Sequence, residues 1–88
     1  MNTHERLIRL MDHKKIGRQD LARLTEIPVD RWKNIRRGRV GASTEELDAC
    51  TPLWPEYGYW LITGNTLPEA GQISSEIEET RKNLNAAG

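Results

Sequence analysis

The 88-residue chain has no phenylalanine, one cysteine and two histidines. Cys50 has no second cysteine for an internal disulfide, and with His4 and His13 it falls short of the four ligands of a structural zinc site. Neither a bridge nor a metal is therefore expected to staple the fold. Long apolar runs are also missing. The stretches stay as short as Tyr59-Trp60-Leu61-Ile62, far below the about 20 residues that cross a bilayer, so no membrane span is expected. The opening Met1-Asn2-Thr3-His4-Glu5-Arg6 lacks the apolar core and small-residue cleavage site of a secretory signal, which points to a cytoplasmic protein. Alternation of apolar and polar residues never persists for more than a few positions, which argues against strands. There is no Gly-rich phosphate loop, no evident opposed pair among Glu45, Glu46 and Glu56, and no histidine at motif spacing from Ser43. The expectation is a binding protein without cofactor, not an enzyme. A chain of this length has material for one small core.

Charged residues are plentiful, at 30%, and they are sorted along the chain. Residues 1–41 hold 11 Lys and Arg against 5 Asp and Glu, whereas residues 42–88 hold 2 against 8. The net charge of zero thus hides one basic and one acidic half. Such a division points to a basic face for a polyanion, with two independently solvated surfaces as the alternative.

Helical spacing recurs throughout. Leu7, Leu10 and Met11, with Ile8 beside them, form a first stripe capped by Thr3 and ending near Lys14-Lys15, before Gly17 breaks the run. A second helix is expected from Arg18 to about Thr25, with Leu21, Leu24 and Thr25 on one face and Ala22 at a close crossing. Pro28 suits a first helical position, so a third helix should run to Arg37 and stop at Gly38, with Trp32 and Ile35 inward. Ser43-Thr44-Glu45-Glu46 is a capping-box pattern that opens a fourth helix, with Leu47 and Cys50 inward. Pro55 opens a fifth through Tyr57, Trp60 and Leu61 to Gly64. Residues 65–74 read as a linker, and Ser75-Glu76-Ile77-Glu78 as a second capping box on a last helix. Ile73, Ile77, Thr80 and Leu84, spaced four, three and four apart, form a short seam of the kind used in helix pairing. The expected organisation is a compact five-helix domain over 1–64, a linker over 65–74 and a C-terminal helix over 75–88.

Two short helices joined by a three-residue turn, the second rich in base, suggest a helix-turn-helix whose second member enters the DNA major groove. The stretch from Arg18 to Gly38 resembles the λ-repressor-like, or Cro/C1-type, helix-turn-helix family in its pattern: Leu21, small Ala22 at the crossing, Ile27 in the turn, apolar residues at 32 and 35, and Gly38 at the end. Glu26 stands where the family usually has glycine, and Trp32 where a β-branched aliphatic is usual. Tyr59-Trp60-Leu61-Ile62-Thr63-Gly64 is similar to the closing segment of small phage-associated regulators of this family.

On a wheel of 100° per residue, with Trp32 and Ile35 inward, Asp30, Lys33, Asn34 and Arg37 point outward and Val29, Arg31 and Arg36 lie on the flanks. The resemblance implies that this face meets the groove. Asn34 then suits an adenine edge, Lys33 a guanine and Val29 a thymine methyl; Asp30 accepts from a cytosine amino group or simply favours the helix dipole. Arg18, Gln19, Arg31, Arg36, Arg37 and Arg39 fit phosphate contacts. His4 and His13 read as solvated, Cys50 as core, and Trp32, Trp54, Trp60, Tyr57 and Tyr59 as core, with stacking on single-stranded bases as the alternative for these aromatics. The resemblance implies a phage or prophage repressor that binds a palindromic operator as a homodimer. An antitoxin whose acidic C-terminal segment holds a protein partner, and a protein-binding adaptor on the same fold, are the competing readings.

Overall fold

The computed structural model describes the backbone of residues 1–87 and the side chains of residues 1–84. Six α-helices follow in order: α1 (Thr3–Lys14), α2 (Arg18–Thr25), α3 (Val29–Arg36), α4 (Thr44–Cys50), α5 (Gly58–Thr63) and α6 (Ser75–Ala87). Short 3-10 turns at Pro55–Tyr57 and Pro68–Ala70 precede α5 and α6. Among the described residues there is one isolated bridge, Leu67 with Gln72, and no strand. The all-α architecture read from the helical spacing is the one observed. The expected last segment, 75–88, ends at Gly88, which lies outside the described residues.

Leu7, Leu10 and Met11 put the stripe of α1 wholly inside, where each side chain contributes about 1.5–3 kcal/mol of transfer free energy. The cap is Asn2, one residue before the expected Thr3. Its side chain accepts from Glu5 N–H at 2.8 Å, and Glu5 Oε1 accepts from Asn2 N–H at 3.2 Å. Lys15 ends the helix in the left-handed region, at φ 55°, while Gly17 serves instead as the N-cap of α2.

Leu21, Ile27, Trp32 and Ile35 bind α2 and α3 to the core. Leu24, expected inward, is 49% exposed. At 100° per residue Leu21, Ala22 and Thr25 span about 100° of the helix surface, and Leu24 falls about 60° beyond that arc. Pro28 sits one place outside α3 as its N-cap, because its ψ of 146° is extended; its carbonyl accepts from Arg31 N–H at 3.0 Å. The other end of α3 closes on Gly38, at φ +75°. Gly38 N–H donates to Ile35 and Arg39 N–H to Asn34, the paired bonds of a left-handed C-terminal cap.

In α4 the fully buried residues are Glu46 and Cys50, and Leu47 is only half-buried. Tyr57, Trp60 and Leu61 are buried as the spacing of the fifth helix requires; Tyr59, expected in the core, lies with Ile62 on the outside of α5, because it is one residue from Trp60 and two from Leu61 on the helix. Arg6 closes this helix from α1. Its Nε donates to Leu61 O at 3.0 Å and its Nη2 to Ile62 O at 3.2 Å, so a basic residue of the first half is committed to orphan carbonyls.

Residues 65–74 are a fastened turn rather than a loose linker. Leu67 and Gln72 exchange backbone bonds, the Gln72 side chain accepts from Tyr59 N–H and donates to Pro55 O, and Ile73 N–H donates to Glu56 O at 2.8 Å. Ile73 is consequently a core residue, 7% exposed, and Ile77 packs half-buried against the same core. These two members of the expected pairing seam are used within the protomer, while Thr80 and Leu84 face outward. The start of α6 also shifts by one. Ser74 Oγ accepts from Ile77 N–H, and the Glu78 carboxylate reaches His13 and Lys14 of α1 at 3.2 Å each. Arg9–Glu76 at 2.6 Å and His13–Glu79 at 3.6 Å add to this clasp, so His13, expected to be solvated, is 10% exposed.

Candidate nucleic-acid interface

The helix-turn-helix is set by two tight turns and one hydroxyl. Glu26 takes the left-handed conformation, φ 62°, at the position where glycine is usual, and its N–H donates to Ala22 O at 2.9 Å to close α2. Thr25 Oγ1 donates to Leu21 O at 2.5 Å and accepts from the Trp32 indole N–H at 3.2 Å and from Ile27 N–H at 3.3 Å. The large side chain that replaces a β-branched aliphatic in α3 is thereby buried with its polar tip satisfied. Its ring fixes how far α3 stands from α2.

With Trp32 and Ile35 fully buried, the remaining side chains of α3 fall on the outer arc. Asp30 is exposed, and Val29, Lys33 and Asn34 are half-buried along the same short helix. Arg18 and Gln19 stand exposed at the N-terminus of α2 and line a shallow groove together with Arg36. Arg37 and Arg39 are exposed on either side of Gly38. The four expected base contacts thus stand on α3 outside its buried Trp32 and Ile35, and five of the six expected phosphate contacts are exposed on α2, on the last turn of α3 and in the turn after it.

Two arginines are tied within the protein. Arg36 Nη2 lies 2.6 Å from Asp12 of α1, with the Arg36 side chain about one third exposed and Asp12 largely open to solvent, an arrangement that a competing phosphate could exchange. Arg31 is held differently. Its Nη2 lies 3.0 Å from Oε1 of Glu46, a carboxylate that is completely buried. Burial works to raise the Glu46 carboxyl, but the hydrogen bonds from Arg31 and from the Ser43 backbone and hydroxyl outweigh it and hold its pKa below the ordinary value. Desolvation, with the Glu46 charge adding to it, pushes the Cys50 thiol up to about 11, which makes it an inert core group. His4, expected to be solvated, accepts from Ala42 N–H at 3.2 Å through Nδ1 and so fastens the loop after α3 to α1.

Glu46 and Thr25 are the residues of this region to which the sequence assigned only a local place, a helix cap and a helix face, and no part in the site. The capping-box spacing named Glu46 as a helix-end residue, and that geometry is present, but nothing in the spacing reveals that the same carboxylate would be buried beneath α3.

Comparison with known proteins agrees with this geometry. Residues 6–50 match the family model of the Cro/C1-type HTH DNA-binding domain. The chain is 27% identical over 81 residues to Repressor protein C of Escherichia phage P2, covering 90% of this chain and 82% of that protein. It is also similar to the solved structure of Pf6r from the filamentous phage Pf6 of Pseudomonas aeruginosa PA01, with 41% identity, a TM-score of 0.85 and full coverage of both chains. By fold, by the helix-turn-helix at its centre and by these likenesses, the chain belongs to the Cro/C1-type helix-turn-helix family of DNA-binding proteins.

Proposed function

We propose that this protein is a sequence-specific repressor of transcription of the phage type, which occupies a palindromic operator as a dimer and excludes polymerase by bulk. The observation that carries the reading is the shared outer face of Asp30, Lys33 and Asn34, flanked by Arg18, Arg37 and Arg39. Side chains able to read base edges lie between side chains able to hold phosphates. The likeness to a phage repressor supports it. One recognition helix touches too few base pairs to select a genomic site, and two copies about 34 Å apart multiply the discrimination. The pairing surface we assign is the outer side of α5, where Ile62 is 62% and Tyr59 37% exposed, because Ile73 and Ile77 of the expected seam are already covered. Thr80 and Leu84 remain as a secondary contact on α6.

Selection of bound sites from a random duplex library at physiological salt tests the reading. A recovered inverted repeat supports it, and recovery of no preferred sequence overturns it. The antitoxin reading requires a protein partner on the acidic segment. The clasp of α6 on α1 commits Glu76, Glu78 and Glu79 within the protomer, which favours the repressor.

A further inference from the structure

The Glu46 carboxylate joins two elements through one atom. Its Oε1 accepts from Ser43 N–H at 2.8 Å and from Ser43 Oγ at 3.0 Å, which caps α4, and from Arg31 Nη2 at 3.0 Å, which anchors α3. Arg31 Nη2 is also 3.4 Å from Gly41 O, in the loop that joins the two helices. The first turn of α4, the loop and the recognition helix thus converge on one guanidinium and one carboxylate.

Burial decides what this pair can do. Glu46 has no exposed surface, and its other oxygen, Oε2, is buried without a hydrogen-bond partner, as is Arg31 Nε. Arg31 is the only basic group within ion-pair distance of Glu46 among the described residues. A phosphate that drew Arg31 away would strand a buried charge, the costliest outcome for such a pair. Exchange of Arg31 from Glu46 to a phosphate is therefore disfavoured. Arg31 is not interchangeable with Arg37 or Arg39, which form no ion pair with a described residue.

We propose that Glu46 is a positioning residue for sequence reading, which acts through Arg31 to fix the rotation of α3 about its axis and so the reach of Asp30, Lys33 and Asn34 into the groove. About 100° further round α3, the Trp32 indole is fixed on Thr25. Between these two attachments the eight-residue helix has one orientation. When the Glu46 attachment is lost, the helix stays packed through Trp32 and Ile35 but turns within the slack of its remaining contacts. Base contacts depend on position to a fraction of an ångström, whereas phosphate contacts through long side chains adapt. The expected signature is a loss of discrimination with little loss of general DNA affinity.

This proposal rests on the sequence-reading function above, and the test separates the two. The full-length protein, Glu46→Gln and Arg31→Lys are titrated against a selected duplex and a scrambled duplex over a series of salt concentrations, with helical circular dichroism as the check on folding. Glutamine keeps the volume and a capping oxygen but not the charge. Lysine keeps the charge of Arg31, but its side chain ends where the Arg31 Cζ lies, one bond short of the Nη2 that meets both Glu46 and Gly41. The expected result for each variant is about a tenfold fall in the ratio of selected to scrambled affinity, with scrambled affinity and salt slope within about twofold of wild type. Equal losses on both duplexes would make Arg31 an ordinary phosphate clamp and overturn the proposal. An unchanged ratio in Arg31→Lys overturns it too, and that partly exposed site remains informative if Glu46→Gln fails to fold. Absence of any preference in the wild-type protein instead defeats the sequence-reading function itself.

Discussion

The Trp32 indole N–H donates to the Thr25 hydroxyl across the turn of the helix-turn-helix, at 3.2 Å, and that hydroxyl also receives Ile27 N–H. One oxygen therefore satisfies two donors at the edge of the core. Thr25→Val preserves shape and removes the acceptor, so both donors lose their partner. A loss of about 1–3 kcal/mol of stability is expected, with Thr25→Ser close to wild type. Urea unfolding of the three proteins measures it; equal midpoints for Thr25→Val and wild type would show that the bond contributes nothing.

The proposed function assigns reading and clamping to different side chains. Asn34→Ala should weaken binding to a selected operator by about 1–3 kcal/mol and relax preference at one base position, and Arg39→Ala should weaken all duplexes alike and lower the salt slope by about 1. Arg18, Arg36, Arg37 and Arg39 together predict a slope of roughly −3 to −4 per protomer. The slope is smaller than the basic half of the sequence suggests, because Arg6 is committed to α5 and Arg9 and Lys14 to α6. Competition titrations from low to high salt measure both quantities.

Much of this was legible from spacing. The helix pair from Arg18 to Gly38 and its inward Trp32 and Ile35 follow from periodicity and from proline and glycine at the ends. What escaped was tertiary. Local spacing cannot tell that Ile73 returns to the core, since that depends on Gln72 reaching back to Pro55 and Tyr59. Nor can it tell that Glu78 abandons a capping role for His13 and Lys14, 64 residues or more away in sequence. The outer arc of α3 was legible from the wheel, but the attachment of that helix to Glu46 was not, because a capping-box glutamate looks the same whether exposed or buried.

Glu26 occupies a left-handed backbone conformation that costs a residue bearing a Cβ about 1–2 kcal/mol. Glycine removes that strain but adds freedom to the unfolded chain. Glu26→Gly is expected to raise stability by about 0.5–1 kcal/mol and to leave operator discrimination unchanged. Thermal and urea unfolding give the first quantity and duplex titration the second. A destabilised variant would mean that the Glu26 side chain contributes contacts beyond its backbone role.

Acid should loosen the clasp between α6 and α1. Burial raises the Glu78 carboxyl, but hydrogen bonds from His13 and Lys14 outweigh it, and the net pKa lies below the ordinary value; Glu76 is lowered in the same sense by Arg9 despite its own burial. Carboxylates with depressed pKa values stabilise the fold fully above their unfolded value of about 4.3 and lose that contribution as pH falls through the lower folded values. The melting temperature is therefore expected to be insensitive to these groups near neutrality and to drop below about pH 4.3. Glu78→Gln should flatten that drop while lowering stability at neutral pH. A wild-type acid profile retained in the variant would remove Glu78 from the account.

The proposed dimer would pair through whichever apolar surface the protomer leaves open. Ile62 and Tyr59 project from α5, and Met1 lies close by, since Arg6 donates to the carbonyls of both Met1 and Ile62. Leu84 is as exposed but stands on α6 without a second large exposed apolar residue on that helix among the described side chains. Contiguous apolar area, not a single side chain, is what sustains association. Ile62→Glu places a charge at the centre of the α5 surface and is expected to weaken self-association by at least about tenfold, whereas Leu84→Glu has a smaller effect. Neither change touches the core, so both proteins should keep wild-type unfolding midpoints at a concentration where all are monomeric. Sedimentation equilibrium over a concentration series distinguishes them. If Leu84→Glu dissociates the dimer and Ile62→Glu does not, pairing runs through α6, and the α5 surface is available to another partner.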